Sequence, residues 1–240
     1  MDYRIVEDLK ALLQKNPTTH AMWIAGSVAE GYADELSDVD LWLDIDDGQD
    51  EAIFNIIEEF LLSKGELDVN YGEDMSPPFT HKVYHLTHTN PYHFIEVTLH
   101  SHTDDYEFIE GIRNVKVLFD KDGTTKTKPF DKVGHEKMLH ERKQTLIRKI
   151  EIGEISVRKE IIRKQFMDAL HNYQFWLVEP IIELTRIKHA PLKISYGLKH
   201  GSRDLPAETV KEIESLYLIK SLEDLENKIE DIKTMVRKYS

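Results

Sequence analysis

The sequence predicts an α+β protein in two parts, with strands and helices intermixed over residues 1–130 and a helical bundle over 131–240. Three observations carry this. Apolar residues recur at a period of two in several short segments of the first half, and every three or four positions in the second. A polar stretch, Asp120-Lys-Asp-Gly123 followed by Thr-Thr-Lys-Thr-Lys-Pro129, separates the two patterns. Charge changes at the same place: residues 1–130 hold 26 Asp and Glu against 10 Lys and Arg, a balance of −16, whereas 131–240 hold 18 against 21, a balance of +3.

Taken in order, Ile5, Val6, Leu9, Leu12 and Leu13 sit at helical spacing, so residues 3–15 read as an amphipathic helix ended near Asn16-Pro17. His20–Ala25 is a short buried strand running into Gly26-Ser27. From Asp38 the period becomes two. Val39, Leu41, Leu43 and Ile45 point one way, and Asp38, Asp40, Trp42, Asp44 and Asp46 point the other, which predicts a strand with one acidic face. Ala52–Leu62 reads as a helix. Strands are expected near 66–71, 81–86, 93–100 and 115–118, separated by Pro77-Pro78 and Asn90-Pro91. Beyond residue 130, helices are expected over 135–152, 154–189 with a kink or break at Pro180, 206–219 and 221–239, the last capped by Ser221 with Asp224.

Composition narrows the function. With 240 residues, 40% of them hydrophobic, the chain can bury a real core. No run of 18 apolar residues appears and no basic-then-apolar leader opens the sequence, so neither a membrane span nor a secretory signal is expected. The absence of Cys excludes disulfides and thiolate-held zinc and suits a reducing, cytoplasmic location. An acidic first half repels a phosphate backbone, which disfavours nucleic acid as partner, and attracts metal cations or a cationic small molecule.

The chemistry concentrates in Gly26–Asp40, GSVAEGYADELSDVD. Gly26 lets the backbone turn tightly and approach a ligand, and the N–H groups that follow, with the Ser27 hydroxyl, suit phosphate oxygens. Asp38 and Asp40 project from one face of a strand and together suit hard divalent cations such as Mg²⁺. Spacing alone carries nothing, since about 1.7 Asp-x-Asp pairs are expected by chance, and motif matches depend on context. The context here is the Gly-Ser eleven residues upstream and the alternating strand that follows. Asp44 lies roughly 13 Å along the strand from Asp40, too far to share its metal shell.

Gly26-Ser27, Gly31 and Ser37-Asp38-Val39-Asp40 resemble the signature of the nucleotidyltransferase superfamily typified by DNA polymerase β, and within it the antibiotic-modifying branch of aminoglycoside and lincosamide nucleotidyltransferases. The resemblance implies a mixed sheet with helices on one side for 1–130 as catalytic domain, and a helical domain over 131–240. It also implies transfer of a nucleoside monophosphate, usually AMP from ATP, to a hydroxyl of a small acceptor. Gly26, Ser27 and Ser37 would then bind the nucleotide, and Asp38 and Asp40 would hold two Mg²⁺ with a third carboxylate. Glu96, in His93-Phe-Ile-Glu-Val-Thr-Leu99, offers that carboxylate, as metal ligand or as general base. Ala190-Pro191-Leu192-Lys193, followed by Ile-Ser-Tyr196, resembles a turn whose Lys reaches the nucleotide phosphates, and Lys193 is carried over on that ground.

Blander readings stand beside these: a plain turn for Gly26-Ser27, an outward-facing residue for Glu96, a solvated side chain for Lys193. Six of the twelve His fall between His81 and His102 without a recognised ligand spacing, so a His metal site is set aside, and a His lining the acceptor pocket stays open. Trp176 and Phe175 read as core packing, with a substrate cleft as the alternative. As a different class, the chain would be a regulatory or toxin–antitoxin module that modifies or binds a protein partner. The Arg and His four to six residues apart that a fused ribonuclease toxin carries are missing from the second half, where Arg163–His171 is too wide and Arg186–His189 too narrow. Charge directs the remaining expectation, a cationic, amino-bearing alcohol as acceptor, bound between the domains with a salt-weakened affinity.

Overall fold

The structure, a computed structural model, describes residues 3–73, 79–104, 106–112 and 114–240. The Pro77-Pro78 turn expected from the sequence lies outside them. The chain divides into two compact units, Met1–Phe130 and Asp131–Ser240. The fold class is the expected one, α+β, with a mixed sheet in the first unit and helices in the second. No helix among the described residues is long and apolar enough to cross a membrane.

In the first unit, α1 (Tyr3–Leu13), β1 (Thr19–Ile24), α2 (Gly26–Glu30), β2 (Val39–Ile45) and α3 (Asp50–Lys64) lead into β3 (Leu67–Glu73), β4 (Phe79–Leu86) and β5 (Ile95–Ser101). Short strands β6 (Phe108–Ile109) and β8 (Thr127–Lys128) pair with each other, and β7 (Lys116–Asp120) completes the main sheet. Its strand order is β3-β4-β5-β2-β1-β7. Only the central β2–β5 pair is parallel, as a connection through a helix and a hairpin requires, and the other neighbours are antiparallel.

Period-two alternation divides the sheet into two faces. Val39, Leu41, Leu43 and Ile45 of β2 and Ile95, Val97 and Leu99 of β5 pack with Val6, Leu9 and Leu13 of α1 and Ile53, Ile57 and Leu61 of α3. Burying each such side chain contributes about 2 kcal/mol, so the helices are held on this side. The other face bears Asp40, Trp42 and Asp44 on β2, with Glu96, Thr98 and His100 beside them on β5. It is not uniformly acidic as the alternation suggested. Trp42 packs with Trp23, Tyr106 and Phe79 in its middle, and Asp44 is buried with its carboxylate against His102.

In the second unit the boundary expected at residue 153 does not exist. A single helix, α4 (Lys132–Ile162), runs through Gly153 and is capped at its start by Asp131, whose carboxylate accepts the Gly134 N–H. A Cβ at Gly153 would lie 2.4 Å from Trp176 Cβ and 3.1 Å from the Trp176 carbonyl oxygen. The glycine therefore marks a close approach of two helices and not an end. The real reversal comes at Lys164, in the left-handed region at φ 58°.

Pro180 does not break its helix either. α5 (Phe166–Tyr173) passes into α6 (Glu179–His189) through a π-helical turn, Gln174–Val178. A proline lacks the N–H and crowds the carbonyl four residues earlier, and the widened turn just before it relieves both. A 3₁₀ segment (Pro191–Tyr196), α7 (Gly201–Asp204), α8 (Ala207–Leu216) and α9 (Leu222–Tyr239) follow. Ser221 caps α9 as expected, its hydroxyl accepting the Asp224 N–H while Asp224 accepts the Lys220 N–H. Leu146, Ile150, Leu177, Ile181, Ile229 and Ile232 are among the side chains of this unit's core.

Candidate carboxylate site on the open face of the sheet

The site begins where β1 ends. Gly26 takes φ 60°, and a Cβ built there would fall 1.8 Å from Asp40 Oδ2. The side chain is thus excluded on two grounds, the left-handed backbone and the Asp40 carboxylate lying directly over the Cα. The Ala25 N–H donates to the Asp40 carbonyl at 2.9 Å, which ties the turn to β2. α2 is one short turn, closed by Gly31 at φ 80°, whose N–H bonds the Ser27 carbonyl.

The loop that follows is knit by its own side chains. Asp34 Oδ1 accepts the Leu36 N–H at 2.9 Å and the Ser37 hydroxyl at 3.0 Å, and the Ser37 oxygen accepts the Asp34 N–H at 2.8 Å. The Leu36 N–H first, and then the Ser37 hydroxyl, hold the Asp34 carboxyl below the usual Asp range. The buried His93 ring bonds the Glu35 carbonyl and fastens this loop to the approach of β5.

Asp38 stands at the entrance to β2, and its Oδ1 accepts the Phe94 N–H at 2.7 Å. Asp40 is the direct register partner of Glu96 across the parallel β2–β5 pair, which places the two carboxylates on one face of neighbouring strands. The Glu96 side chain is 37% exposed, and its Oε2 lies 3.5 Å from His81 Nε2 on β4. A carboxylate that wet and that close to an imidazole carries little desolvation cost.

Asp38, Asp40, Glu96 and the Gly26-Ser27 turn are therefore neighbours through β1, β2 and β5. The Ser37 hydroxyl is engaged by Asp34. Lys193 belongs to the second unit, in the 3₁₀ segment, where its Nζ lies 3.3 Å from Asp204 Oδ1; Arg203 and the buried Arg186 share that carboxylate. Among the described residues no three His, Asp or Glu side chains close on one point tightly enough to hold a metal as they stand. The donor set is nonetheless the right kind for Mg²⁺, since hard carboxylate oxygens from Asp38, Asp40 and Glu96 are its preferred protein ligands. His81 beside Glu96 and His93 under the loop belong to the His81–His102 group noted in the sequence, but their partners were not assigned there. Strand register alone signals them, and register is invisible before β4 and β5 are paired.

No known family's sequence model matches the chain, and no curated protein does. Solved structures do. The chain is similar to an aminoglycoside 6-adenyltransferase from Bacillus subtilis, at 16% identity and a TM-score of 0.43, covering 98% of this chain and 86% of that one. It is also similar to the STING-associated CdnE c-di-GMP synthase from Capnocytophaga granulosa, at 17% identity and a TM-score of 0.31, over 97% and 78% of the two chains. A third likeness is to the GLD-2/RNP-8 complex, at 15% identity and a TM-score of 0.26, over 97% and 77%.

Proposed function

We propose that the protein is a Mg²⁺-dependent nucleotidyltransferase that moves a nucleoside monophosphate, AMP from ATP, to a hydroxyl of a small cationic acceptor. The observation that carries this reading is the register of Asp40 with Glu96, beside a glycine whose missing side chain leaves room for the Asp40 carboxylate. Bound Mg²⁺ would supply charge neutralisation at the triphosphate and lower the pKa of an attacking hydroxyl. The chain's own residues do the rest. Asp40 on the central strand β2 and Asp38 at its entrance would supply hard oxygen ligands, and the Phe94 N–H fixes one Asp38 oxygen so that the other is presented in a defined direction. The backbone N–H groups of the Gly26-Ser27 turn offer donors to phosphate. Glu96, with His81 at 3.5 Å, would hold metal or accept the acceptor's proton.

The test is nucleotide turnover with Mg²⁺ over a panel of hydroxylated acceptors, read by the mass added to the acceptor. Asp38→Asn and Asp40→Asn should each cut transfer by far more than tenfold, a barrier increase above ~1.4 kcal/mol, with the circular dichroism spectrum unchanged. Glu96→Gln separates its two roles, because a base variant keeps nucleotide and Mg²⁺ affinity and recovers at high pH, whereas a ligand variant loses metal affinity first. More than a tenth of wild-type activity in either Asp variant removes the reading.

A further inference from the structure

A polar cavity of about 350 Å³ opens at the other end of the same face, lined by Asp44, His100, His102, Asp104 and Lys126 among others. Asp44 is four residues beyond Asp40, roughly 13 Å along β2, so this cavity is separate from the carboxylate site. Its volume is within the range that holds a small ligand.

Several lining groups present acceptors, beside the Tyr106 hydroxyl and the Lys126 ammonium. His100 Nδ1 faces the Ser101 carbonyl at 3.0 Å, and His102 Nδ1 faces both oxygens of the buried Asp44 carboxylate at 3.0 and 3.1 Å. Carbonyls and carboxylates only accept, so both Nδ1 atoms donate. The Thr103 and Thr124 hydroxyls, also at this cavity, donate to Asp47 and to Asp120, so their remaining capacity is as acceptors too. Asp104 Oδ2 is buried with no hydrogen-bond partner among the described residues. A buried carboxylate oxygen without a donor is uncommon, and a bound donor would satisfy it.

The positive groups nearby do not fill that need. His20, stacked on His102 with ring centroids 3.6 Å apart, is held at both nitrogens by Asp46 and Asp122, each at 2.7 Å. Lys126 is exposed and makes no hydrogen bond to Asp104 Oδ2. What matches several acceptors and an unpaired carboxylate oxygen is a group with donors only, and a primary ammonium, with three N–H donors and a positive charge, is that group. We propose that this cavity binds the ammonium group of a small polar amine.

The proposal is tested by calorimetric titration of the full chain with 1,4-diaminobutane, and with 1,4-butanediol as the uncharged match, without nucleotide. Because no turnover is read, the result is independent of the transfer reading. Diaminobutane should bind with one-to-one stoichiometry and the diol should not bind measurably. Asp104→Asn should weaken the diamine at least tenfold, whereas Asp40→Asn should leave it within twofold. Non-specific attraction to a chain of net charge −13 would change little on losing one charge, so the two variants separate a site from a field. Lys126→Ala, at an exposed position that leaves the fold intact, should tighten binding by removing a like charge. Equal binding of the diol, an unaltered affinity in Asp104→Asn, a loss in Asp40→Asn as large as in Asp104→Asn, or weaker binding in Lys126→Ala would each overturn the assignment.

Discussion

Gly26 and Asp40 show how one position answers to both folding and chemistry. At φ 60°, any L side chain at residue 26 is strained by about 1–2 kcal/mol. The contact with Asp40 adds a second effect, because a methyl 1.8 Å from Oδ2 must push the carboxylate aside. Gly26→Ala is therefore expected to lose ~1–2 kcal/mol of stability in urea titration and also to lose transfer activity by more than the stability change accounts for. If activity per folded molecule stays at the wild-type level, Asp40 does not act where its carboxylate now sits. The glycine and the aspartate were each visible in the sequence, but their contact was not, since it depends on β1 and β2 being antiparallel neighbours with Ala25 bonded to Asp40.

Elements were legible to different degrees, and the differences have physical causes. β2 announced itself because its helix-facing side is continuous in Val39, Leu41, Leu43 and Ile45, all buried as the alternation required. The opposite face was harder to read, since period two assigns a side and not a neighbour: Asp44 looks like Asp40 in sequence, yet it is buried against His102 while Asp40 borders the open carboxylate site. In the helical unit the two apparent breakers misled for opposite reasons. Pro180 is absorbed by a π-helical turn, and Gly153 serves packing, its bare Cα touching Trp176. That second case sets propensity against sterics. Alanine gains about 1 kcal/mol over glycine inside a helix, but an added methyl meets both a Cβ and a backbone oxygen, neither the end of a flexible chain. Overpacking of this kind costs about 1–3 kcal/mol. Gly153→Ala is expected to lower the midpoint of denaturant unfolding, and a raised midpoint would mean that α4 and the π-helical turn slide apart freely.

At the scale of the whole molecule, the two units differ in how their histidines are held, and this gives them opposite responses to pH. In the first unit, the Asp68 hydrogen bond raises the His85 pKa above its ordinary 6.5, against burial. Burial pulls His20 down, but Asp122 and Asp46 outweigh it, so its pKa also rises. A histidine raised on folding stabilises fully below the unfolded pKa, and that contribution fades as pH climbs through the folded value. In the second unit, burial lowers His189, helped by Lys188 and Lys238, and burial lowers His200, helped by Arg203 and Lys199. A histidine lowered on folding does the reverse: its contribution is whole above 6.5 and is lost as pH falls through the folded value. Between about pH 5.5 and 7.5, the first unit should therefore lose stability with rising pH while the second gains it. Hydrogen exchange read by mass spectrometry, after correction for intrinsic rates, should show protection falling in β1 and β4 and rising in α6 and α8 across that interval. His85→Gln should flatten the response of the first unit alone. A common direction in both units would show that the −16 and +3 charge balances, and not these four imidazoles, govern stability near neutrality.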